Sequence, residues 1–361
     1  MIGNEDVVHA KRGTIEPDPN VVIEWSDEPA EPPADWNGAS LGRRLLQPKT
    51  IASFLIAIAV VVFAISRFDL NLGSVFDQMR HANRSYLLLA VATYYGSIAL
   101  RAARWRALLE NAEIQPTGDQ ALPKVPKLFV MYLLGWFANC LVPAKLGDAY
   151  RGFLLKRRCG VSFSATLGTI FAERLADLMT LGLVLVASGF LVFGRHMPSS
   201  VSAWMMVAIG LAALLLIGVL FVFRWGHILR QIVPHRVRHH YVRLEEGILG
   251  SFGRIPTLLG LTAIIWALEG VRFYFVAHSV TGGFSFSAAL FVALLASLLT
   301  VVPLTPAGLG FVELGVVGML TVLGIGQQTA ASIALLDRVV AYWSVIVVGA
   351  IVYPIVRWAW R

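Results

Sequence analysis

Thirteen ionisable residues interrupt segments that are otherwise apolar. An ionised side chain inside a membrane costs at least about 2–3 kcal/mol, so such residues usually pair with one another or line a path for a substrate or ion. Arg174 and Arg338 are the clearest cases, because each lies within an apolar run and directly follows an acid. The full set is Arg101, Arg104, Lys145, Asp148, Arg151, Glu173, Arg174, Asp177, Glu269, Arg272, Glu313, Asp337 and Arg338.

Some of these charges have the spacing of ion pairs along one helix face. Residues three apart on a helix are neighbours, and the pairs with this spacing are Asp148–Arg151, Arg174–Asp177 and Glu269–Arg272. Arg101 and Arg104 have a second interpretation as anchors at the cytoplasmic end of a span. Arg272 does not, because it lies toward the outer end of its predicted span.

A short motif occurs twice in the chain. "LVPAKLG" (141–147) and "LTPAGLG" (304–310) each break a hydrophobic run with a proline, and an acid follows each one, Asp148 or Glu313. Two further matches keep the same order: "ALRAARW" (99–105) with "ALEGVRF" (267–273), and Glu173-Arg174 with Asp337-Arg338. The offsets are 168, 163 and 164 residues, so an internal duplication is indicated.

The two copies are predicted to have opposite orientations in the membrane. Repeat one covers about 85–190 and repeat two about 256–356, with a basic cytoplasmic linker at 224–254 between them. An odd number of crossings separates the copies. Inverted repeats with helices broken near the middle of the membrane are typical of secondary transporters.

The broken helices also indicate an anion site. A new helix begins after each break, at "GDAYR" or "GLGFVE", and the free N–H groups of a helix N-terminus favour anions. Arginine holds phosphate with two parallel hydrogen bonds. We therefore predict a phosphate-sized pocket between the hairpins, with these substrate-binding candidates: Arg104, Lys145, Gly147, Asp148, Arg151, Glu173, Arg174, Asp177, Glu269, Arg272, Pro306, Gly308, Gly310, Glu313, Asp337 and Arg338.

Composition determines the class of fold that must position these residues. Hydrophobic residues make up 57% of the 361 residues and charged residues 14%, against roughly 45–50% and 25% in soluble domains. Several apolar runs are long enough for a helix to cross a bilayer, whereas a β-barrel would need short alternating strands. The predicted fold is an all-α polytopic membrane protein.

The N-terminus differs from the rest of the chain. The first 36 residues carry nine acids and two bases, which leaves 28 bases and 13 acids for the remainder. We interpret residues 1–42 as a disordered acidic cytoplasmic tail and residues 43–361 as one membrane domain. The basic excess of the membrane domain favours anionic lipid as a partner, and nucleic acid is excluded because the bases flank or enter apolar helices.

Lysine and arginine positions give the topology. They predict two re-entrant hairpins, at about 127–158 and 286–324, and cytoplasmic N- and C-termini in the plasma (inner) membrane. If both hairpins crossed the membrane fully, each would add two crossings and both termini would stay on the same side. Ten spans therefore remain an alternative. The six predicted full spans are 50–67, 85–103, 163–190, 201–223, 256–279 and 330–356.

Four segments resemble a known family. "RAARWRALL", "PAKLGDAYRGFLL", "AERLAD" and "PLTPAGLGFVELG" are similar to the signature segments of the lysylphosphatidylglycerol-synthase transmembrane-region family, a flippase-like membrane domain, over roughly 50–356. Pro143, Gly147 and Arg151 match the first hairpin of that family, where Asp148 replaces a glutamate. In the second hairpin Ala307 replaces a glycine, and the glutamate, here Glu313, is kept.

The resemblance implies movement of a lipid with an anionic or phosphate-linked headgroup between leaflets. That lipid would be an aminoacyl-phospholipid, a glycolipid or a polyprenyl-phosphate-linked lipid. The aminoacyl-transferase domain that follows in some members is not part of this sequence, so a synthase or glycosyltransferase would be a separately encoded partner.

Two other functions remain open at this point: an ion-coupled transporter of a small soluble anion, and a non-catalytic membrane partner of a lipid-modifying synthase. No catalytic set, metal motif or cofactor motif is found in the sequence, so we expect no enzyme activity, metal or cofactor.

Overall fold

The computed structural model describes residues 48–67, 70–116, 121–141, 146–194, 197–300 and 305–359. The predicted acidic tail, Pro143 and Lys145 lie outside these residues. In chain order the helices are α1 (Pro48–Arg67), α2 (Leu72–His81), α3 (Arg84–Asn111), α4 (Val125–Leu141), α5 (Leu146–Cys159), α6 (Phe163–Phe193), α7 (Ser199–Ile232), α8 (His235–Ser251), α9 (Ile255–Thr281), α10 (Phe286–Leu299), α11 (Phe311–Val322), α12 (Gln327–Arg338) and α13 (Ser344–Ala359).

Several helices begin at a side chain that caps the first turn. Asn83 accepts a hydrogen bond from the N–H of Ser85 at the start of α3, and Ser162 accepts one from Ala165 at the start of α6. Ser285 does the same for Ala288 in α10. Such caps satisfy N–H groups that have no partner within the helix, so local sequence fixes where these helices start.

Long apolar helices confirm the predicted fold class. The described residues contain no strand, and five of their helical segments are long and apolar enough to cross a membrane. These segments correspond to five of the six predicted spans, and the sixth, 50–67, lies within the 20-residue helix α1. The chain is an all-α polytopic membrane protein. The five segments are Arg84–Asn111, Phe163–Phe193, Val201–Val222, Val237–Thr281 and Gln327–Trp358.

The two predicted hairpins are pairs of short helices. α4 has 17 residues, α5 and α10 have 14 each, and α11 has 12. At about 1.5 Å per residue these helices are about 18–26 Å long, shorter than the roughly 30 Å hydrocarbon core. α4 packs against α5, and α10 against α11, which is the geometry of re-entrant hairpins.

The backbone of the second hairpin turns sharply before α11. A 3₁₀ turn spans Pro306–Gly308. Ala307, Gly308 and Gly310 have φ of 48°, 72° and 86°, a region that disfavours residues with a Cβ atom. The glycines at this tip are therefore required by the break itself, and Ala307 adopts the turn conformation despite its Cβ.

The first helices of the two repeats, α3 and α9, pack along each other. Their buried residues, including Trp105 and Phe273, form the centre of the core. α4 packs against α13, and α10 packs against α6, so each hairpin contacts a helix of the other repeat. Apolar side chains such as Leu55, Leu214 and Ile351 are exposed on the outer helices, as expected for a surface that faces lipid.

The predicted basic linker is a helix rather than an irregular connection. α8 packs tightly along α6, and small residues permit the close approach. A Cβ atom at Gly168 would lie 2.8 Å from the Ile248 nitrogen, and one at Gly247 would contact the Ala165 backbone. This contact holds α8 against the span that carries Glu173 and Arg174.

Candidate functional site

A cavity of about 260 Å³ lies between the two repeats. Both hairpins contribute to its wall, as do α3, α6, α9 and α12. Four arginines and four carboxylates line it, half from each repeat: Arg101, Asp148, Arg174 and Asp177 from the first, and Glu269, Arg272, Asp337 and Arg338 from the second. The duplication thus brings charges that are distant in sequence to one place.

Aromatic and hydroxyl side chains complete the wall. The Arg101 guanidinium lies 5.4 Å from the Trp136 ring centroid and 5.5 Å from that of Trp266, within the range of cation–π attraction. Arg101 is 3% exposed, so it is not an anchor at the membrane surface. The other polar or aromatic wall residues are Tyr94, Asn139, Ser297, Thr300, Thr305 and Tyr342.

The most deeply buried charges lie behind the cavity wall. Arg104 donates hydrogen bonds to Asp177 (2.6 Å) and Glu173 (3.0 Å), and Arg151 donates to Glu173 (3.0 Å). The Tyr132 hydroxyl donates to the same Glu173 carboxylate at 2.6 Å. The side chains of Arg104, Arg151 and Glu173 are 0% exposed, so these three candidates hold helices together rather than face a ligand.

One ion pair of the first repeat is much more accessible. Arg174 Nε lies 3.0 Å from Asp148 Oδ2, and the two side chains are 33% and 16% exposed. Arg174 also lies 3.5 Å from Asp177, and Asp148 lies 3.5 Å from Arg151. The predicted pairs Asp148–Arg151 and Arg174–Asp177 are thus present, within a larger network that links the hairpin to α6.

The second repeat contains a corresponding set of pairs. Arg272 Nε lies 3.0 Å from Glu269, which confirms the third predicted pair, and Arg272 also contacts Asp337. Arg338 Nε lies 2.9 Å from Glu313. In each repeat, therefore, the arginine that follows an acid in the last long span pairs with the acid of its own hairpin.

Contacts between α3 and α9 follow the predicted 168-residue offset. Arg104 donates to Thr262 at 2.8 Å. Their equivalents 168 positions away, Arg272 and Tyr94, also lie together, with the Arg272 guanidinium 5.8 Å from the Tyr94 ring centroid. Arg101 and Glu269 are themselves 168 positions apart and pair with each other at 3.1 Å. A contact between equivalent residues is what a two-fold axis produces, and here the two residues carry opposite charges.

Side chains of the protein contact the backbone at both hairpin tips. The Gly310 N–H donates to the Glu313 carboxylate at 2.7 Å, and the Gly147 N–H donates to the Asn139 side chain at 2.8 Å. Arg338 donates to the backbone oxygens of Ala307 and Gly308. These two N–H groups therefore have protein partners, and the anion site at the tips stays a prediction. Pro306, Gly308 and Gly310 shape the tip that Arg338 contacts.

Arginines and carboxylates balance in the described part of the cluster. Each of the six arginines lies within 4 Å of at least one of the six carboxylates. An anion that binds here must therefore share or replace an existing partner. The members are Arg101, Arg104, Arg151, Arg174, Arg272 and Arg338 with Asp148, Glu173, Asp177, Glu269, Glu313 and Asp337.

Sequence reasoning missed several residues of the wall. Trp136, Asn139 and Trp266 were not among the candidates, because aromatic and amide residues in apolar helices give no signal in a single sequence. Tyr342 follows Arg338 closely, in a π-helical turn (Val339–Trp343), and such turns are frequent at functional sites. Its hydroxyl donates to the Cys140 backbone oxygen at 3.0 Å, which links α12 to the first hairpin.

Several archaeal proteins are similar to this chain in sequence. A UPF0104 membrane protein of Methanocaldococcus jannaschii is 33% identical over 225 residues, which is 61% of this chain and 94% of that protein. A UPF0104 membrane protein of Methanothermobacter thermautotrophicus is 22% identical over 329 residues, 84% of this chain and 94% of its own. Glycosyltransferase AglD of Haloferax volcanii is 24% identical over 88% of this chain and 56% of its own length.

The family described as the lysylphosphatidylglycerol synthase TM region matches residues 50–349. That match covers the first repeat, most of the second, both hairpins and every charged residue of the cavity. The chain therefore belongs to the lysylphosphatidylglycerol synthase transmembrane-region family.

Proposed function

We propose that this protein is a lipid flippase or translocase that moves an anionic or phosphate-linked lipid between leaflets. The observation that carries the proposal is the charged cavity between the two repeats. Ionisable groups at membrane depth mark substrate paths, and inverted repeats with broken helices place such a path between them. The proposed activity requires no covalent step and no cofactor.

The cavity size favours a headgroup over a whole lipid. Pockets that enclose drug-sized molecules occupy roughly 300–1,000 Å³, and this cavity is smaller, at about 260 Å³. The acyl or prenyl tails would stay in the bilayer while the headgroup occupies the cavity. A family described by its lysylphosphatidylglycerol synthase members supports a lipid substrate.

Arg174 and Arg338 are the arginines that we assign to the headgroup. Arg174 is the most exposed guanidinium of the cluster, and Arg338 lines the same cavity from the second hairpin. Removing one partner of a buried ion pair costs roughly 3–5 kcal/mol. A phosphate that takes the place of a carboxylate keeps the guanidinium paired, and the displaced carboxylate then has one cation fewer.

A separately encoded synthase or glycosyltransferase is the partner that we propose for this chain. AglD is named a glycosyltransferase and extends well beyond the region that matches this chain. An enzyme that builds a lipid-linked product on one side of a membrane needs a route for it to the other side. We propose that this chain supplies that route, in the plasma (inner) membrane and with both termini cytoplasmic.

Transport of lipid and of soluble anion can be compared in the same vesicles. The purified protein is reconstituted in phosphatidylcholine vesicles with fluorescent phosphatidylglycerol or a fluorescent polyprenyl phosphate, and leaflet exchange is measured. Uptake of radioactive inorganic phosphate is measured in parallel. Lipid exchange without phosphate uptake supports the proposal; phosphate uptake without lipid exchange indicates the soluble-anion carrier, and neither activity indicates the non-transporting partner.

A further inference from the structure

The charge balance of the cluster limits what can enter the cavity. The described cluster holds six arginines and six carboxylates in mutual ion pairs. Among these twelve described residues, an anionic headgroup adds one negative charge beyond those that the six arginines balance. In a site with little water an uncompensated charge is costly, and the usual outcome is that a group changes its protonation state.

The carboxylates differ in how many arginines lie near them. Among the described residues, Glu173 and Asp177 each lie within 4 Å of three arginines, and Asp148 and Glu269 each lie within 4 Å of two. Asp337 and Glu313 each have one. These two acids therefore lose their one neighbouring positive charge when that arginine binds a headgroup.

Glu313 depends on the arginine that we assign to the headgroup. Its cation is Arg338, which also donates to two backbone oxygens of the hairpin tip. Asp337 depends instead on Arg272, which binds Glu269 as well. One guanidinium carries one positive charge, so Arg338 can neutralise Glu313 or a bound phosphate, but not both.

In the first hairpin, the acid has a second arginine beside it. Arg151 follows Asp148 by three residues and lies 3.5 Å from it, so Asp148 keeps a cation when Arg174 engages a headgroup. Val316 occupies the corresponding place three residues after Glu313. The hairpin acid therefore has a second cation in the first repeat and an apolar residue at that place in the second.

Among the described residues, Arg338 is the cation that pairs with Glu313, and the neighbouring elements bring the following titratable groups. α12 contributes Asp337 and Arg338, the π-helical turn contributes Tyr342, and the first hairpin contributes Cys140. α10 carries no titratable side chain, and the titratable residues of α1 are Lys49 and Arg67, at its two ends.

We propose that Glu313 takes up one proton from water when an anionic headgroup binds Arg338, so that headgroup and proton cross the membrane together. The carboxylate becomes a neutral carboxylic acid on binding and returns the proton when the headgroup leaves. For a headgroup with a single negative charge, the net charge moved is zero. This inference rests on the proposed function and adds its energy coupling.

A pH difference across the vesicle membrane tests the proposal. Vesicles of phosphatidylcholine contain fluorescent phosphatidylglycerol, whose phosphodiester stays ionised, and the two sides differ by one pH unit. With one proton per lipid, we expect about tenfold enrichment of the probe in the leaflet on the alkaline side, since each tenfold ratio corresponds to about 1.4 kcal/mol. An imposed membrane potential leaves this ratio unchanged.

Three variants assign the proton to Glu313. Glu313→Gln keeps an acceptor for the Gly310 N–H but cannot titrate, so the leaflet ratio that its exchange reaches should fall to about onefold. Glu313→Asp keeps a titratable group and should retain the enrichment. Glu110→Gln is the matched control, because Glu110 pairs with Arg106 outside the cavity, and it should behave like the unchanged protein.

Each outcome has a distinct meaning. Absence of probe exchange by the unchanged protein overturns the proposed function and this inference with it. Exchange that ignores the pH difference overturns the proton coupling alone and leaves the translocase intact. Enrichment that persists in Glu313→Gln, or that disappears equally in Glu313→Asp, overturns the assignment to Glu313.

Discussion

At the scale of single residues, the charged cluster divides into supporting and ligand-facing members. Sequence spacing predicted the three pairs within helices, and all three are present. The longer-range pairs, such as Arg104 with Glu173 and Arg338 with Glu313, were not predictable. They depend on which helices are neighbours, and a single sequence contains no direct signal of that.

Replacing a fully buried arginine should affect folding more than transport alone. Arg104→Leu removes one hydrogen bond to Glu173 and the 2.6 Å hydrogen bond to Asp177, and breaking a buried pair costs roughly 3–5 kcal/mol. We expect a lower melting temperature and less protein in the membrane. Arg174→Leu, at a side chain 33% exposed, should change melting little, as measured by size-exclusion chromatography after heating. Equal melting shifts in the two variants would contradict this division.

At the scale of helices, the break positions were readable from the sequence, but the capping of the hairpin tips was not. Proline and glycine at 304–310 predicted the break because they disfavour a continuing helix. The Asn139 side chain that binds the Gly147 N–H comes from the other helix of its hairpin. That contact arises only when the hairpin folds back on itself.

The contact between α6 and α8 reverses the usual effect of glycine substitution. Alanine in place of glycine normally stabilises a helix by roughly 0.5–1 kcal/mol. At Gly168 the added Cβ would collide with the α8 backbone, and overpacking typically costs about 1–3 kcal/mol. We expect Gly168→Ala to lower the melting temperature. Gly210→Ala in α7 is the matched control, since nothing lies within 4 Å of its added Cβ, and an equal fall there would refute the packing argument.

The ion pair at the centre of the α3–α9 contact should show energetic coupling. Arg101→Met or Glu269→Gln alone leaves a buried charge without this partner, whereas the double variant removes both charges. Breaking one side of a buried pair costs more than replacing the whole pair. We therefore expect the double variant to be more stable than the sum of the single changes predicts, measured as melting temperatures. Strict additivity would show that the pair does not join the repeats.

At the scale of the whole molecule, the sequence predicted the spans and the repeat but not the shape of the cavity. Apolar length is a strong signal in membrane proteins because every backbone group must be bonded internally. The aromatic wall around Arg101, formed by Trp136 and Trp266, depends on packing between repeats. Its residues have no spacing that distinguishes them from other core positions.

The inverted orientation of the repeats can be tested by cysteine labelling. Cys140 and Cys159 are buried and free, so they are replaced by serine in the starting protein. A membrane-impermeant maleimide should label Gly283→Cys from outside intact cells, and His239→Cys only after the membrane is opened. Labelling of both from outside would exclude the predicted topology, because 239 and 283 would then lie on the same side.

The most direct measurement of the central claim is lipid exchange in vesicles by matched arginine variants. The side chains of Arg174 and Arg106 are 33% and 34% exposed, but only Arg174 lines the cavity. Hydrogen bonds to a charged group contribute about 1.5–3 kcal/mol, so Arg174→Leu and Arg338→Leu should each slow exchange of fluorescent phosphatidylglycerol or polyprenyl phosphate by roughly tenfold to a hundredfold. Arg106→Leu should exchange at the unchanged rate. Equal rates in all three variants, with equal amounts of folded protein, would show that the cavity is not the path of the headgroup.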